Sequence, residues 1–378
     1  VETVSRVKYR RFGKTNLDLS VFSLGTMRPL GSEEGFGQIV LRAVERGINH
    51  IETARGYGKS EVYLGRTLRQ LDRESVYLTT KLPPTADAKM MAGWIDESLF
   101  RLGVKRIDCL AIHGVNTWEH LEWVQGDLGC MQAVQGAIAS GKVDHVGFST
   151  HGSLELIQST LETGLFEFVN LHYYWSFQRH APLLAIADQL DMGVFIISPA
   201  DKGGRLYAPP ATLKALCEPF SPLELSYRFL LADPRITTLS IGPATVAELG
   251  PFLEMDDYPL TAAEQQVLSR LDHHMSDRLG PTQCHQCYQC LPCPEEINIP
   301  EVLRLRNLAL AYDLVEYGKY RYGMFENAGH WFPGNKASRC TECGDCLPRC
   351  PSQLNIPELL GETHKLLKGK QGRRLWED

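Results

Sequence analysis

Between Val21 and Ile241 eight short β-prone stretches recur, and segments with helical spacing of apolar side chains fill the gaps. The strand candidates are Val21–Gly25, His50–Ala54, Val76–Lys81, Asp108–His113, His145–Thr150, Phe168–Tyr173, Val194–Ser198 and Ile236–Ile241. Helix-period segments include Glu34–Arg46, Ser60–Leu71, Ala88–Leu102 and Leu154–Glu162. Parallel strands need long crossovers, which helices supply, so this alternation leaves few topologies. Eight βα units over about 250 residues is the arithmetic of an α/β chain closed into a (β/α)8 TIM barrel. A doubly wound open sheet is the competitor, but no G-x-G-x-x-G follows the first strand. A hairpin, Tyr9–Phe12 and Leu17–Ser20, precedes the first unit, and Thr261–His274 reads as one more helix closing the barrel. His273 and His274 read as polar residues of that helix end.

In such a barrel the C-terminal strand ends converge on one rim, where catalysis occurs. Glu52 and Tyr57 follow the second strand, Lys81 ends the third and His113 ends the fourth. Taken singly, such a lysine is more often solvated, such a histidine more often a satisfied core group, and such a tyrosine a packing residue. Together, at successive strand ends, they make a candidate catalytic set. Their stretch, HIETARGYGKSE (His50–Glu61), reads as a strand end, a turn allowed by Gly56 and Gly58, and a helix opening with Ser60 at or near its cap.

This stretch resembles the aldo-keto reductase signature DTAxxYGxSE, with Glu52 in place of the aspartate. The resemblance covers roughly residues 8 to 272 and implies a tetrad. Tyr57 would donate the proton, Lys81 would modulate its pKa, Glu52 would anchor the lysine, and His113 would orient the carbonyl. The chemistry is coherent, because a phenol of pKa ~10 donates poorly at neutral pH unless a cation stabilises its phenolate. Glutamate keeps the charge and adds a methylene, which the geometry has to absorb.

Further matches follow in order along the chain. GKVDHVGFST (Gly141–Thr150) is similar to GKxRxxGxSN, which implies that Ser149 and Thr150 hold the nicotinamide carboxamide. Asn170 stands at the usual glutamine, and SPADKGG (Ser198–Gly204) is similar to the loop that wraps the pyrophosphate, which implicates Ser198, Lys202 and Gly203. Thr26, Gly242 and Thr245 complete the implied cofactor contacts. Two departures stand out. Ile197 replaces the frequent aromatic before Ser-Pro, and no lysine or arginine lies between Ile236 and Ser269. In the loop Gly242–Leu249 only a helix start at Thr245 offers donors, while Glu248 brings a carboxylate near the expected 2′-phosphate of NADPH. The expectation is NAD(P)H binding with a lean toward NADH.

Composition excludes other classes. The net charge of −6 and pI near 6.1 lack a nucleic-acid footprint, and no apolar run has the length of a membrane span. VETVSRVKYRRFG carries no apolar secretory core, so the expectation is a cytoplasmic protein. Residues 276–378 hold 13 basic and 13 acidic side chains and eight of the 11 cysteines. That shift places a boundary near Asp277, between a barrel at 1–275 and a smaller helical domain at 276–378.

The cysteines form two runs. C-x2-C-x2-C-x2-C-P comprises Cys284, Cys287, Cys290 and Cys293, and C-x2-C-x2-C-x3-C-P comprises Cys340, Cys343, Cys346 and Cys350. CPEEINIPEVL and CPSQLNIPELL follow, so the segment is duplicated, with proline opening a helix each time. A helical stretch, Pro300–Tyr320, and a loop, His330–Asn335, separate the repeats. Runs closed by Cys-Pro are the ligand pattern of ferredoxin-type 4Fe–4S clusters, and eight thiolates suffice for two. The fourth cysteine of a run serves the other cluster in two-cluster ferredoxins. Cys284, Cys287 and Cys290 are therefore expected with Cys350, and Cys340, Cys343 and Cys346 with Cys293. Structural zinc and disulfides are the alternatives. Cys109, Cys130 and Cys217 read as packing thiols. The segment resembles the helical ferredoxin-like domain appended to a subset of aldo-keto reductases.

The expected function is carbonyl reduction, or alcohol oxidation, with a nicotinamide cofactor, coupled to electron transfer through two 4Fe–4S clusters. The partners are a small carbonyl or alcohol and a soluble electron carrier such as ferredoxin, with no nucleic acid and no membrane. Two alternatives stand beside it: a ferredoxin-dependent reductase using the barrel as substrate cage, and a redox-sensing or scaffold module with a degenerate site. A basic tail, Lys365, Lys368, Lys370, Arg373 and Arg374, reads as a solvated terminus or as a steering patch for an acidic carrier.

Overall fold

The computed structural model describes residues 7–369, apart from 251, 252, 254 and 256–258. An antiparallel hairpin, β1 (Tyr9–Arg11) and β2 (Asp18–Ser20), comes first. Eight parallel strands then close into a barrel: β3 (Phe22–Gly25), β4 (His50–Glu52), β5 (Tyr77–Leu82), β6 (Ile107–His113), β7 (Val143–Ser149), β8 (Phe168–Leu171), β9 (Gly193–Ile196) and β10 (Thr238–Ile241). Every expected strand is present, and β10 pairs with both β9 and β3. Between them run α1 (Glu33–Glu45), α2 (Ser60–Leu68), α3 (Ala88–Leu102), α4 (Trp118–Gln125), α5 (Cys130–Ala139), α6 (Leu154–Glu162), α7 (Ala181–Gln189), α8 (Ala211–Cys217) and α9 (Pro222–Leu231).

Local chemistry explains the helix ends. Asp87 accepts the amides of Lys89 and Met90 at the start of α3, and Gly103 closes it in the left-handed region at φ 66°. Helix α2 stops three residues short of expectation because Gln70 and Leu71 bond back to Thr67 and Leu68, tightening its last turn. The hairpin plugs the N-terminal end of the barrel. Phe12 and Leu19 pack against Cys109, Ala111, Phe168 and Phe195, which leaves the opposite rim for chemistry. Gly13 is required there: φ is 52°, and a Cβ would lie 2.2 Å from the Gly193 nitrogen. Above this plug the barrel interior is polar. His50 bonds Ser23 (2.6 Å) and Thr79 (2.7 Å), and burial, then the Lys81 charge, pulls its pKa down to about 3, so the imidazole is neutral.

The chain divides into two compact units. One runs to Gly203 and takes Ser226–Pro259; the other takes Gly204–Leu225 and runs on from Leu260. Helix α10 (Ala262–Leu279), begun by a capping box of Thr261 and Glu264, belongs to the second unit. There it packs on α11 (Ile299–Tyr312): His274 Nε2 lies 2.9 Å from Ala311 O, and Tyr312 donates to Leu271 O. The helical stretch Pro300–Tyr320 comprises two helices. Asp313 adopts φ 57° and ends α11 before α12 (Val315–Tyr322), and α13 (Ile356–Leu367) completes the unit. Lys365 lies on α13 and Lys368 caps it, while Lys370, Arg373 and Arg374 of the basic tail lie outside the described residues. Among the described residues no helix is long and apolar enough to cross a membrane.

Candidate active site and cysteine cavities

The tetrad residues converge at the C-terminal strand ends and are all buried. Glu52 is 4% exposed, Lys81 1%, and Tyr57 and His113 8% each. Lys81 Nζ touches Glu52 Oε2 and donates to Thr53 O at 2.8 Å. It lies 4.9 Å from the centroid of the Tyr57 ring, and the His113 ring meets Tyr57 edge-on at 5.7 Å. Burial pushes the Tyr57 phenol upward, opposite to the effect expected of Lys81. The same burial pushes Lys81 well below its ordinary value, against the attraction of Glu52. Tyr57 is therefore held as the protonated phenol, the form a proton donor needs.

The longer acid is accommodated by a residue that local sequence reading passes over. Glu52 Oε1 accepts from Ser240 Oγ on β10 at 2.7 Å, so each carboxylate oxygen has its own partner. Gly25 opens the space: a Cβ there would lie 2.6 Å from Ser240 Oγ and 3.2 Å from Glu52 Oε1. Removing the hydroxyl in Ser240→Ala should cost about 1–3 kcal/mol of stability, because a buried charge loses a donor. Urea unfolding of the variant beside the parent chain checks this.

The implied cofactor residues divide by how their polar atoms are used. Asn170 is fully buried at the end of β8, with neither Nδ2 nor Oδ1 paired. A buried amide with donor and acceptor both open fits another amide, such as a carboxamide. Ser149 Oγ accepts the Gly114 amide at 3.0 Å. Thr150 and Thr26 are structural pins instead: Thr150 donates to Val115 O, and Thr26 donates to Glu52 O while accepting from Ser60. Ser60 opens α2, next to its cap Lys59, which makes no side-chain bond. Ser198 adopts φ 51° and its carbonyl accepts the Lys202 amide, which shapes the loop through buried Gly203.

Lys202 turns toward two imidazoles that sequence reading did not single out. Tyr174 spends its hydroxyl proton on Ile197 O, so its oxygen accepts from His172 Nδ1 at 2.6 Å. His172 Nε2 is then the acceptor, 3.2 Å from Lys202 Nζ and 3.1 Å from His151 Nε2. The rim therefore carries a basic group at the ends of β7, β8 and β9.

Two corrections concern the loop after β10. Thr245 starts a four-residue 3-10 turn, Val246–Leu249, and not a helix, too short to gather a dipole. Glu248 does not stand as an unopposed charge. Its Oε2 accepts the Ala244 amide (2.9 Å) and Arg28 Nη1 (2.8 Å), and the same nitrogen reaches Gly242 O at 2.5 Å. The cation absent from the loop itself arrives from the segment after β3.

In the second unit the cysteines surround two cavities. Cys284, Cys287, Cys290 and Cys350 line one; Cys293, Cys340, Cys343 and Cys346 line the other. Each fourth cysteine thus sits with the other run. Among the described residues no three His, Cys, Asp or Glu side chains converge on a single metal-ion position. Thiols around a cavity, not a point, fit a cluster better than a zinc ion. Burial pushes Cys109, Cys130 and Cys217 upward, as packing thiols require.

Residues 22–208 match the model of the aldo/keto reductase family, and residues 283–355 match that of the 4Fe-4S dicluster domain. An uncharacterized oxidoreductase of Bacillus subtilis, YrpG, is 27% identical over 70% of this chain and 95% of its own length. L-glyceraldehyde 3-phosphate reductase of Escherichia coli is 28% identical over 43% of this chain and 50% of its own. The holo form of aldo-keto reductase AKR11C1 from Bacillus halodurans superposes with a TM-score of 0.62 at 20% identity, over 70% of this chain and 96% of that one, a likeness of fold.

Proposed function

This chain is an oxidoreductase of the aldo/keto reductase family with a 4Fe–4S dicluster domain, and from that premise we propose that it interconverts a small carbonyl and its alcohol with a nicotinamide cofactor. Residues 1–275 form the catalytic part in this reading, and 276–378 exchange single electrons with a soluble carrier through two clusters. The observation that carries it is the buried contact of Lys81 with Glu52, with Nζ 4.9 Å from the Tyr57 ring centroid.

A bound nicotinamide would supply hydride to the carbonyl carbon, with Asn170 and Ser149 at its carboxamide and Ser198, Lys202 and Gly203 at its pyrophosphate. Tyr57 Oη gives its proton to the carbonyl oxygen. The Lys81 ammonium, kept charged by Glu52 against the pull of burial, stabilises the phenolate left behind, in a site dry enough for that charge to act at close range. Glu52 holds Lys81, Ser240 holds Glu52, and His113 positions the oxygen. Shortening the acid by one methylene tests the arm: Glu52→Asp draws the carboxylate away from Ser240, and carbonyl turnover should fall. Equal or higher turnover would show that the extra methylene is dispensable.

The main experiment is anaerobic turnover of a panel of small aldehydes by protein with its iron retained, using NADH, NADPH or a reduced one-electron donor. Turnover with a nicotinamide supports the reading. Turnover with the one-electron donor alone would replace it with the cage mechanism, and no turnover with any donor would point to a redox-sensing role.

The cofactor lean is toward NADH, because Arg28 is engaged by Glu248 and Gly242 O and has little charge to spend on a 2′-phosphate. Glu248→Gln should release that guanidinium and shift the ratio of NADPH to NADH affinity toward NADPH by roughly tenfold. Paired fluorescence titrations at one salt concentration measure it, and an unchanged ratio would remove Glu248 from the account.

A further inference from the structure

The duplication supplies an internal comparison between the two cysteine sites. Aligned by their cysteines, Gln286 corresponds to Glu342, and Gln289 to Asp345. Counting on from Cys293 and Cys350, Glu295 corresponds to Ser352, and Arg306 to Thr363. Gln286 and Glu342 share the same left-handed backbone, at φ 54° and 56°, so the repeat holds in conformation as well as in order.

Charge does not repeat. Besides its cysteines, the cavity of Cys284, Cys287, Cys290 and Cys350 is lined by His285, Tyr288, Ser352 and apolar groups, without a carboxylate. The cavity of Cys293, Cys340, Cys343 and Cys346 is lined by Glu295 and Asp345, with Arg349 as the one cation. Arg306 adds to the contrast from α11. It is 6% exposed, its terminal nitrogens donate to Thr282 O and Thr282 Oγ1 at 3.3 Å each, and the neighbouring Asn307 donates to Cys284 O at 2.8 Å. Its Nε is buried without a partner, as is Gln286 Nε2. Glu362, mostly exposed, pairs directly with the same guanidinium at 3.3 Å and offsets part of its charge, an offset that solvent screening weakens.

A cluster gains one negative charge on reduction. Nearby cations and N–H donors to sulfur favour the reduced form, and carboxylates oppose it. We propose that the site of Cys284, Cys287, Cys290 and Cys350 has the higher reduction potential of the two, set by Arg306 and Gln286 against the acidic lining of the other. An electron entering the domain then settles at that site. The step is one electron per cluster, delivered by an external reductant, with no bond made or broken. This rests on the two-cluster reading above.

The test is a dithionite titration of the full chain, purified anaerobically and followed by electron paramagnetic resonance, with iron and sulfide counted on the same sample. The parent chain should show two one-electron steps, and Cys350→Ser should remove the upper one. Arg306→Gln should lower the upper step by roughly tenfold in its reduction equilibrium, ~59 mV for one electron, and leave the lower step in place. Glu342→Gln with Asp345→Asn, both at exposed positions, should raise the lower step and leave the upper. This pair decides the matter if Arg306→Gln fails to fold. Coincident steps in the parent chain, or a charge variant that moves the wrong step or neither, overturns the proposal. An iron count well below about eight per chain would instead overturn the two-cluster reading, and the proposal with it.

Discussion

Tyr57→Phe should lower carbonyl turnover by ~100-fold to 10,000-fold, the range expected on removing a general acid, while nicotinamide affinity stays within a few-fold. Phenylalanine keeps the ring that Lys81 and His113 face, at 4.9 Å and 5.7 Å, and removes only the oxygen. The fold should be undisturbed, since the ring supplies the packing. Burial holds the phenol protonated, so the parent enzyme enters each reductive cycle with the proton in place. The loss should therefore appear in kcat. Unchanged turnover would remove Tyr57 from the mechanism, and a loss confined to KM would reassign it to substrate binding. Lys81→Met is a harsher change. It strands Glu52 as a buried carboxylate with Ser240 as the named remaining partner, and should cost about 3–5 kcal/mol of stability in addition to activity.

Cys350→Ser should halve the iron content, from about eight to about four per chain, and the cluster lost should be the one held by the first run. The residue lies in the second run by sequence, yet it lines the cavity of Cys284, Cys287 and Cys290. Cys293→Ser is the reciprocal change and should empty the cavity of Cys340, Cys343 and Cys346. Iron and sulfide analysis with electron paramagnetic resonance of the two variants would separate the sites. Loss of the second run's cluster on mutating Cys350 would mean that each run holds its own. Stoichiometric zinc without sulfide would remove clusters altogether. Because a site of this kind is absent from the unfolded chain, iron chelation should also lower the melting temperature of the second unit.

Much of this is legible in the amino-acid sequence. Barrel strands read as strands because apolar β-prone runs ended at glycine or a polar residue, and helices such as α3 and α6 carry their own start and stop signals in Asp87, Gly103 and Ser153. Glu52, Tyr57, Lys81 and His113 were legible as a group because strand ends converge in this topology, whatever the local sequence. The cysteine runs were legible because ligand spacing is local. Where local signals are weak, the sequence underdetermines the structure. Asp313 is a weaker break signal than glycine or proline, and its left-handed turn divides the helical stretch Pro300–Tyr320. Thr245 has the chemistry of a cap but heads only a 3-10 turn.

The amino-acid order by itself determined the parts list: eight βα units, a rim bearing an acid, a phenol, an ammonium and an imidazole, and two sets of thiols in a duplicated segment. Periodicity and ligand spacing are properties of neighbours along the chain, so they survive without a structure. Pairing across the chain was decided only by tertiary structure. Ser240 and Gly25 make room for the longer Glu52, Arg28 crosses to Glu248, and His172 with His151 receives Lys202, each joining residues from different βα units. Burial likewise belongs to the folded barrel, and it sends the Tyr57 pKa upward where neighbouring charge alone would send it down. Distance and dielectric are set when the barrel closes, and no stretch of sequence carries them.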